Sequence, residues 1–295
     1  MNTGHPGGLW FESAAGHPAA SHRRKPRSAD NHAVPFLTSP DGVRLKYEPQ
    51  GSGPPLLLHL GAGCDSGLWQ AAGYLEPLSK SYQCILFDHR GHGESDHPRG
   101  VEANRIDRYE DDVVALLDLL GIASAAFWGY SAGISVGLKL ADDHPSRVRA
   151  LIGSGGMSET SPKEYAEFVA RLVPELQEYA WEKMIARFDN RETEAIPEWM
   201  KERIRATDTE QFIDALKGGI DSGWDEWEAL PRVKAPTLVL TGELEDPDDE
   251  TAAAVARMPN GRRVRQPGLA HINSFLRSDL ALPPAMEFLA ATLSD

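Results

Sequence analysis

The chain has 295 residues, of which 41% are apolar and 25% charged, and its formal net charge is −14. That length supports a large core of one or two domains, and the residue mix is that of an ordinary globular protein. The acidic balance argues against nucleic acid and anionic membrane surfaces as partners, because both carry the same sign of charge.

Residues 1–33 are rich in Gly, Pro, His and Ala and carry the basic cluster Arg23-Arg24-Lys25-Pro26-Arg27. Such a stretch buries too little apolar surface to offset its ordering entropy, so a disordered extension is expected. Polar and charged residues follow the twin arginine, where a signal peptide would need an apolar core. No run approaches the roughly 20 apolar residues of a membrane helix. Cys64 and Cys84 are the only cysteines. Two cysteines make no disulfide framework and suit a reducing compartment, so the expected location is the cytoplasm.

From residue 34 the pattern alternates. Val43–Tyr47 reads as a half-buried strand, and the apolar runs Leu56–Leu60 and Cys84–Phe87 read as buried ones. Val113, Leu116, Leu117 and Leu120 keep helical spacing and stop at Gly121, a good helix terminator. Ala125–Trp128, Val148–Ile152 and Thr237–Thr241 are further short apolar strands, and Arg263–Gln266 is expected to be the last, ahead of a final helix at Leu280–Leu293. This alternation predicts an α/β architecture: a mostly parallel, doubly wound sheet with helices on both faces.

The alternation breaks at residues 156–230, where helices are expected at Lys163–Tyr179, Trp181–Phe188, Glu198–Arg205 and Glu210–Lys217. The stretch holds four of the seven tryptophans (Trp181, Trp199, Trp224 and Trp227) and eighteen acidic against nine basic residues. It reads as a helical cap inserted between two core segments, residues 34–155 and 231–295.

Two overlapping Gly-x-Ser-x-Gly motifs occur, Gly129–Gly133 and Gly133–Gly137. Ser131, in the first, lies between a predicted strand and the helical run Ile134–Ala141, the strand–turn–helix setting of a nucleophile elbow. Ser135 falls one turn inside that helix and reads as a small packing residue.

With the segment Phe87-Asp88-His89-Arg90-Gly91-His92-Gly93-Glu94-Ser95-Asp96 after a strand, the chain resembles the α/β-hydrolases over roughly residues 34–295. The resemblance implies a serine-nucleophile enzyme of that fold, and it implies that Asp88 and His92 form a structural turn at the edge of the site. A nucleophilic serine needs a base. His271, in Pro267-Gly268-Leu269-Ala270-His271 after the last strand, occupies the family's position for it. The acid follows Thr237–Thr241, where the chain reads Gly242-Glu243-Leu244-Glu245-Asp246-Pro247. Spacing selects Glu245, whereas the likeness to Asp-Pro selects Asp246, and both stay open.

Two oxyanion donors are required. One is expected to be the Ala132 amide, just after the nucleophile. The other belongs to the loop after Leu56–Leu60, where relatives show His-Gly and this chain has Leu60-Gly61, so that Ala62 becomes the donor residue. His59 falls one place early and reads as a buried structural histidine, with a site role as the alternative.

Serine at the elbow argues against the carboxylate-nucleophile relatives, the haloalkane dehalogenases and epoxide hydrolases. With no zinc-spaced Cys/His set and no Gly-rich phosphate loop, no metal and no cofactor are expected. The expected partner is a small-molecule substrate: a largely apolar ester, lactone or thioester, hydrolysed through an acyl-enzyme. The same fold also supports lyase, cyclase, perhydrolase and acyltransferase chemistry, or binding without catalysis.

Overall fold

The computed structural model describes residues 35–157, 161–246 and 248–294; the extension read at 1–33 lies outside them. Strands β1 (Phe36–Thr38) and β2 (Arg44–Gln50) pair antiparallel. There follow β3 (Pro55–His59), α1 (Gly67–Ala71), α2 (Leu75–Leu78), β4 (Gln83–Phe87), α3 (Ile106–Leu119), β5 (Ala125–Tyr130), α4 (Gly133–Asp143) and β6 (Val148–Ser154). An all-helical insertion comes next, with α5 (Pro162–Tyr179), α6 (Glu182–Arg191), α7 (Glu198–Ala206), α8 (Thr209–Asp221) and α9 (Glu226–Ala229). The chain closes with β7 (Thr237–Gly242), α10 (Glu250–Arg257), β8 (Gly261–Gln266), α11 (His271–Leu276) and α12 (Ser278–Leu293).

The eight strands form one sheet in the order β1-β2-β4-β3-β5-β6-β7-β8. Only the β1–β2 and β2–β4 pairings are antiparallel. The fold is that of the α/β-hydrolases, with a mostly parallel sheet covered by helices on both faces. The central strands β3, β5, β6 and β7 are buried at almost every position because both faces are covered. Alternate residues serve opposite layers: Leu56, Leu58 and Trp128 pack with Leu68, Trp69, Phe288 and Leu289, while Leu57 and Phe127 pack with Val113, Leu116 and Leu138. Strand β1 escaped prediction because its three residues bury only Leu37, too little for a period-two signal. Among the described residues no helix is long and apolar enough to cross a membrane.

The insertion forms where local rules favour helix. Ser161 and Glu164 make a reciprocal capping box ahead of Pro162, and Asp208 caps α8. Val169, Leu172 and Leu176, spaced along one helix face, join Trp181, Ile185, Met200 and Ile204 in the core shared with β3 and β5. Because β3 and β5–β8 run parallel, their C-terminal ends gather loops along one edge of the sheet, where ligands bind in open α/β sheets. Every residue singled out as catalytic or oxyanion-binding lies in these loops or, for His271, at the first position of the helix that follows.

Candidate active site

Ser131 sits between β5 and α4 with φ of 54°, a left-handed conformation that costs a non-glycine residue energy and persists only when its surroundings hold it. They do so here: the Ser131 N–H donates to the Ser154 carbonyl at 2.8 Å, and the Ser131 carbonyl accepts from Ile134 at 2.9 Å. Glycine is compulsory at two nearby points. A Cβ on Gly129 would lie 2.4 Å from the Gly133 carbonyl oxygen, and one on Gly61 would lie 2.7 Å from Ser131 Cβ and 2.8 Å from the Ala132 nitrogen. The loop after β3 is thereby drawn onto the elbow. Ala62 and Ala132 line the same cavity as Ser131, and among the described residues neither amide donates to a protein acceptor.

His271 opens α11, and its Nε2 lies 3.1 Å from Ser131 Oγ. Its Nδ1 meets the Glu245 carboxylate. With Nδ1–H donated to Glu245, Nε2 carries the free lone pair that can accept the serine proton. Burial pulls the imidazole toward a lower pKa, but the charge and hydrogen bond of Glu245 outweigh it and leave His271 above its ordinary value. Burial likewise pushes the Glu245 carboxyl upward, yet His271 and the backbone N–H groups of Gly156 and Gly242 hold it below the usual range.

Of the two acids left open by the sequence, the structure brings only Glu245 to His271. The Asp246 carboxylate accepts the Glu250 N–H at 2.8 Å and the Thr251 N–H at 3.1 Å. It thereby satisfies orphan donors in the first turn of α10, a helix-capping task. Asp249 pairs with Arg263, and Glu243 accepts the Gly268 N–H at 3.0 Å.

Asp88 is buried and directed at backbone, accepting from Ser66 N–H at 2.7 Å and Glu94 N–H at 2.9 Å. His92 Nε2 accepts the Gly63 N–H at 3.2 Å. Both residues thus tie down the loop that carries Gly61 and Ala62. His59 donates Nδ1–H to the Leu60 carbonyl at 2.6 Å, and its ring stacks 4.9 Å from that of His89, itself 3.8 Å from His92. Burial drives all three imidazoles down, His59 and His92 to about 4, so this column is neutral at physiological pH. Among the described residues no group of three His, Cys, Asp or Glu side chains has the arrangement of a metal site.

Two contacts had no signal in the sequence. Glu192, at the end of α6, accepts the N–H groups of Ile272 and Asn273 at 2.8 Å each, so the insertion grips the turn that bears His271. Ser135 is more than the packing residue expected: its hydroxyl donates to Glu226 on α9 at 2.5 Å, and both residues line the cavity. Each link joins residues about 80 or 90 positions apart, beyond the reach of a local pattern.

The cavity above Ser131 has a volume of 470 Å³, and Tyr109, Met157, Tyr165, Phe212, Trp224 and Trp227 are prominent in its wall. The aromatics of the insertion therefore divide. Trp224 and Trp227 face the cavity, Trp181 packs 4.8 Å from the Phe212 ring, and Trp199 is exposed.

Residues 54–277 match the family described as alpha/beta hydrolase fold. A protein of Azorhizobium caulinodans that bears the name of a carbamate hydrolase is 36% identical over 107 residues, covering 36% of this chain and 39% of that protein. The 3-oxoadipate enol-lactonase 2 of Acinetobacter baylyi is 34% identical over 146 residues, 49% of this chain and 53% of that one. The chain thus spans about half or less of the length of these curated relatives. Among solved structures, a thermophilic esterase from Thermogutta terrifontis superposes with a TM-score of 0.77 at 24% identity, over 88% of this chain and 98% of that one. That likeness concerns the fold.

Proposed function

The chain belongs to the α/β-hydrolase family, and from that premise we propose that it is a serine hydrolase of small carboxylic esters, lactones or thioesters. One observation carries the reading: the continuous relay from Ser131 Oγ through His271 to Glu245 at the floor of an aromatic-walled cavity. His271 Nε2 takes the proton as Ser131 attacks the carbonyl carbon. The developing oxyanion is held by the Ala62 and Ala132 amides, and Glu245 stabilises the imidazolium. His271 then passes its proton to the leaving group and activates the water that releases the acyl chain from Ser131. The helical insertion acts as a cap that keeps bulk water from the reacting carbonyl.

The reading is tested with a fluorophosphonate probe, digestion of the labelled protein, and assays on p-nitrophenyl acetate and butyrate. The label is expected on Ser131, with turnover abolished in Ser131→Ala. A label elsewhere, or turnover that survives the substitution, overturns the assignment.

A further inference from the structure

Part of the cavity wall is acidic, and nothing in the relay uses that part. Glu226 and Asp225 line the wall beside Trp224 and Trp227, and among the described residues no lysine or arginine lines the cavity at all. Asp225 accepts the Glu228 N–H at 3.1 Å as a helix cap. Glu226 has a single side-chain hydrogen bond among the described residues, the one received from Ser135 at 2.5 Å. Its second carboxylate oxygen has no protein partner there, and no cationic side chain pairs with it. Ser135 lies on α4, four residues after Ser131 in the chain, and Ser131, Ser135 and Glu226 all line the same cavity.

A carboxyl group in a wall of aromatic rings without a counter-cation either stays protonated or takes its counter-charge from a ligand. Burial pushes the Glu226 carboxyl upward, and only the Ser135 hydrogen bond opposes that. A bound ammonium would reverse the balance by Coulomb attraction. A carboxylate-bearing substrate would meet like charge at the same part and find no positive group in the wall.

We propose that Glu226, oriented by Ser135, is a specificity residue: it selects substrates that carry a positively charged amino group remote from the scissile carbonyl and rejects those ending in a carboxylate. The proposal rests on the hydrolase reading for the reaction and on the cavity alone for the preference. The test uses three p-nitrophenyl esters of matched length, those of 6-aminohexanoic, heptanoic and pimelic acids. In the wild type, kcat/KM is expected to favour the ammonium ester over the heptanoate by about tenfold or more, with the carboxylate ester lowest. In Glu226→Gln the ammonium-to-alkyl ratio is expected to fall to about one. The ratio is read within one protein sample, so a partly folded variant does not distort it. Parity in the wild type, or an unchanged ratio in the variant, overturns the proposal. If no ester turns over, the hydrolase reading fails, and calorimetry with hexylammonium and hexanoate on Ser131→Ala decides the preference. Tighter binding of hexylammonium that disappears in Ser131→Ala/Glu226→Gln sustains it, and equal binding overturns it.

Discussion

The loops at the C-terminal edge of the sheet and the helical insertion build the same cavity by different means. The sheet edge works through backbone: a left-handed Ser131, a glycine at 129 that the Gly133 carbonyl leaves no room to replace, and a glycine at 61 pressed against the elbow. The insertion works through side chains reaching across long sequence distances, as Glu192 does to Ile272 and Asn273 and Glu226 to Ser135. Backbone constraints tolerate few substitutions, whereas side-chain reach can be redirected by one. On the proposed reading the chemistry belongs to the edge and the choice of substrate to the insertion, and substitutions on the two sides should separate accordingly.

The largest effect is expected at the edge. Ser131→Ala should lower kcat on p-nitrophenyl butyrate by about 10⁴-fold or more with little change in thermal stability, measured by steady-state kinetics and calorimetry. A smaller loss would mean that another group attacks.

Next comes Glu245→Gln, which should cost about a hundredfold or more in kcat by removing the charge that stabilises the imidazolium. It should also move the pH profile. The base must be neutral to act, and His271 titrates above its ordinary 6.5 because Glu245 faces it. The acid limb of kcat/KM should therefore inflect above pH 6.5 in the wild type and at lower pH in the variant. Stability follows the same pair. The raised His271 value contributes fully below 6.5 and fades as pH rises through it; the lowered Glu245 value contributes above 4.5 and is lost as pH falls through it. The pair's contribution is thus greatest between pH 4.5 and 6.5, and urea titrations of wild type and Glu245→Gln across that window measure it.

The same division explains what the sequence makes legible. Strands such as Leu56–Leu60 and Ala125–Trp128 announce themselves because both faces are buried, and the elbow does so because sharp turns need glycine at fixed offsets. The choice between Glu245 and Asp246 was hidden, since spacing and residue type pointed to different neighbours. What separates them is the direction of each side chain after β7, toward His271 or toward the start of α10. Ser135 misled for a related reason: its position inside α4 is correctly read, but its partner lies 91 residues away on a four-residue helix.

An intermediate effect is expected where the insertion grips the edge. Glu192→Ala strands the N–H groups of Ile272 and Asn273, both on buried residues. Each unmet donor costs about 1 kcal/mol, and the turn bearing His271 loosens. We expect kcat to fall about tenfold with a smaller change in KM, because the base is misaligned while the cavity remains. An unchanged kcat would detach the insertion from the chemistry.

The smallest effect on catalysis should come from the acid beside the relay. Asp246 is adjacent to Glu245 in sequence and equally acidic, so an account based on local charge would assign it a comparable share of catalysis. Its two oxygens are taken by the Glu250 and Thr251 amides, which makes its contribution one of stability. Asp246→Ala should therefore lower unfolding stability by about 1 kcal/mol, the usual cost of losing a helix cap, and leave kcat within about threefold. Chemical denaturation and steady-state kinetics on the same preparation check both halves. A hundredfold loss in kcat from Asp246→Ala, with Glu245→Gln nearly silent, would exchange the two roles. It would also show that the turn after β7 adopts a different arrangement when substrate is bound.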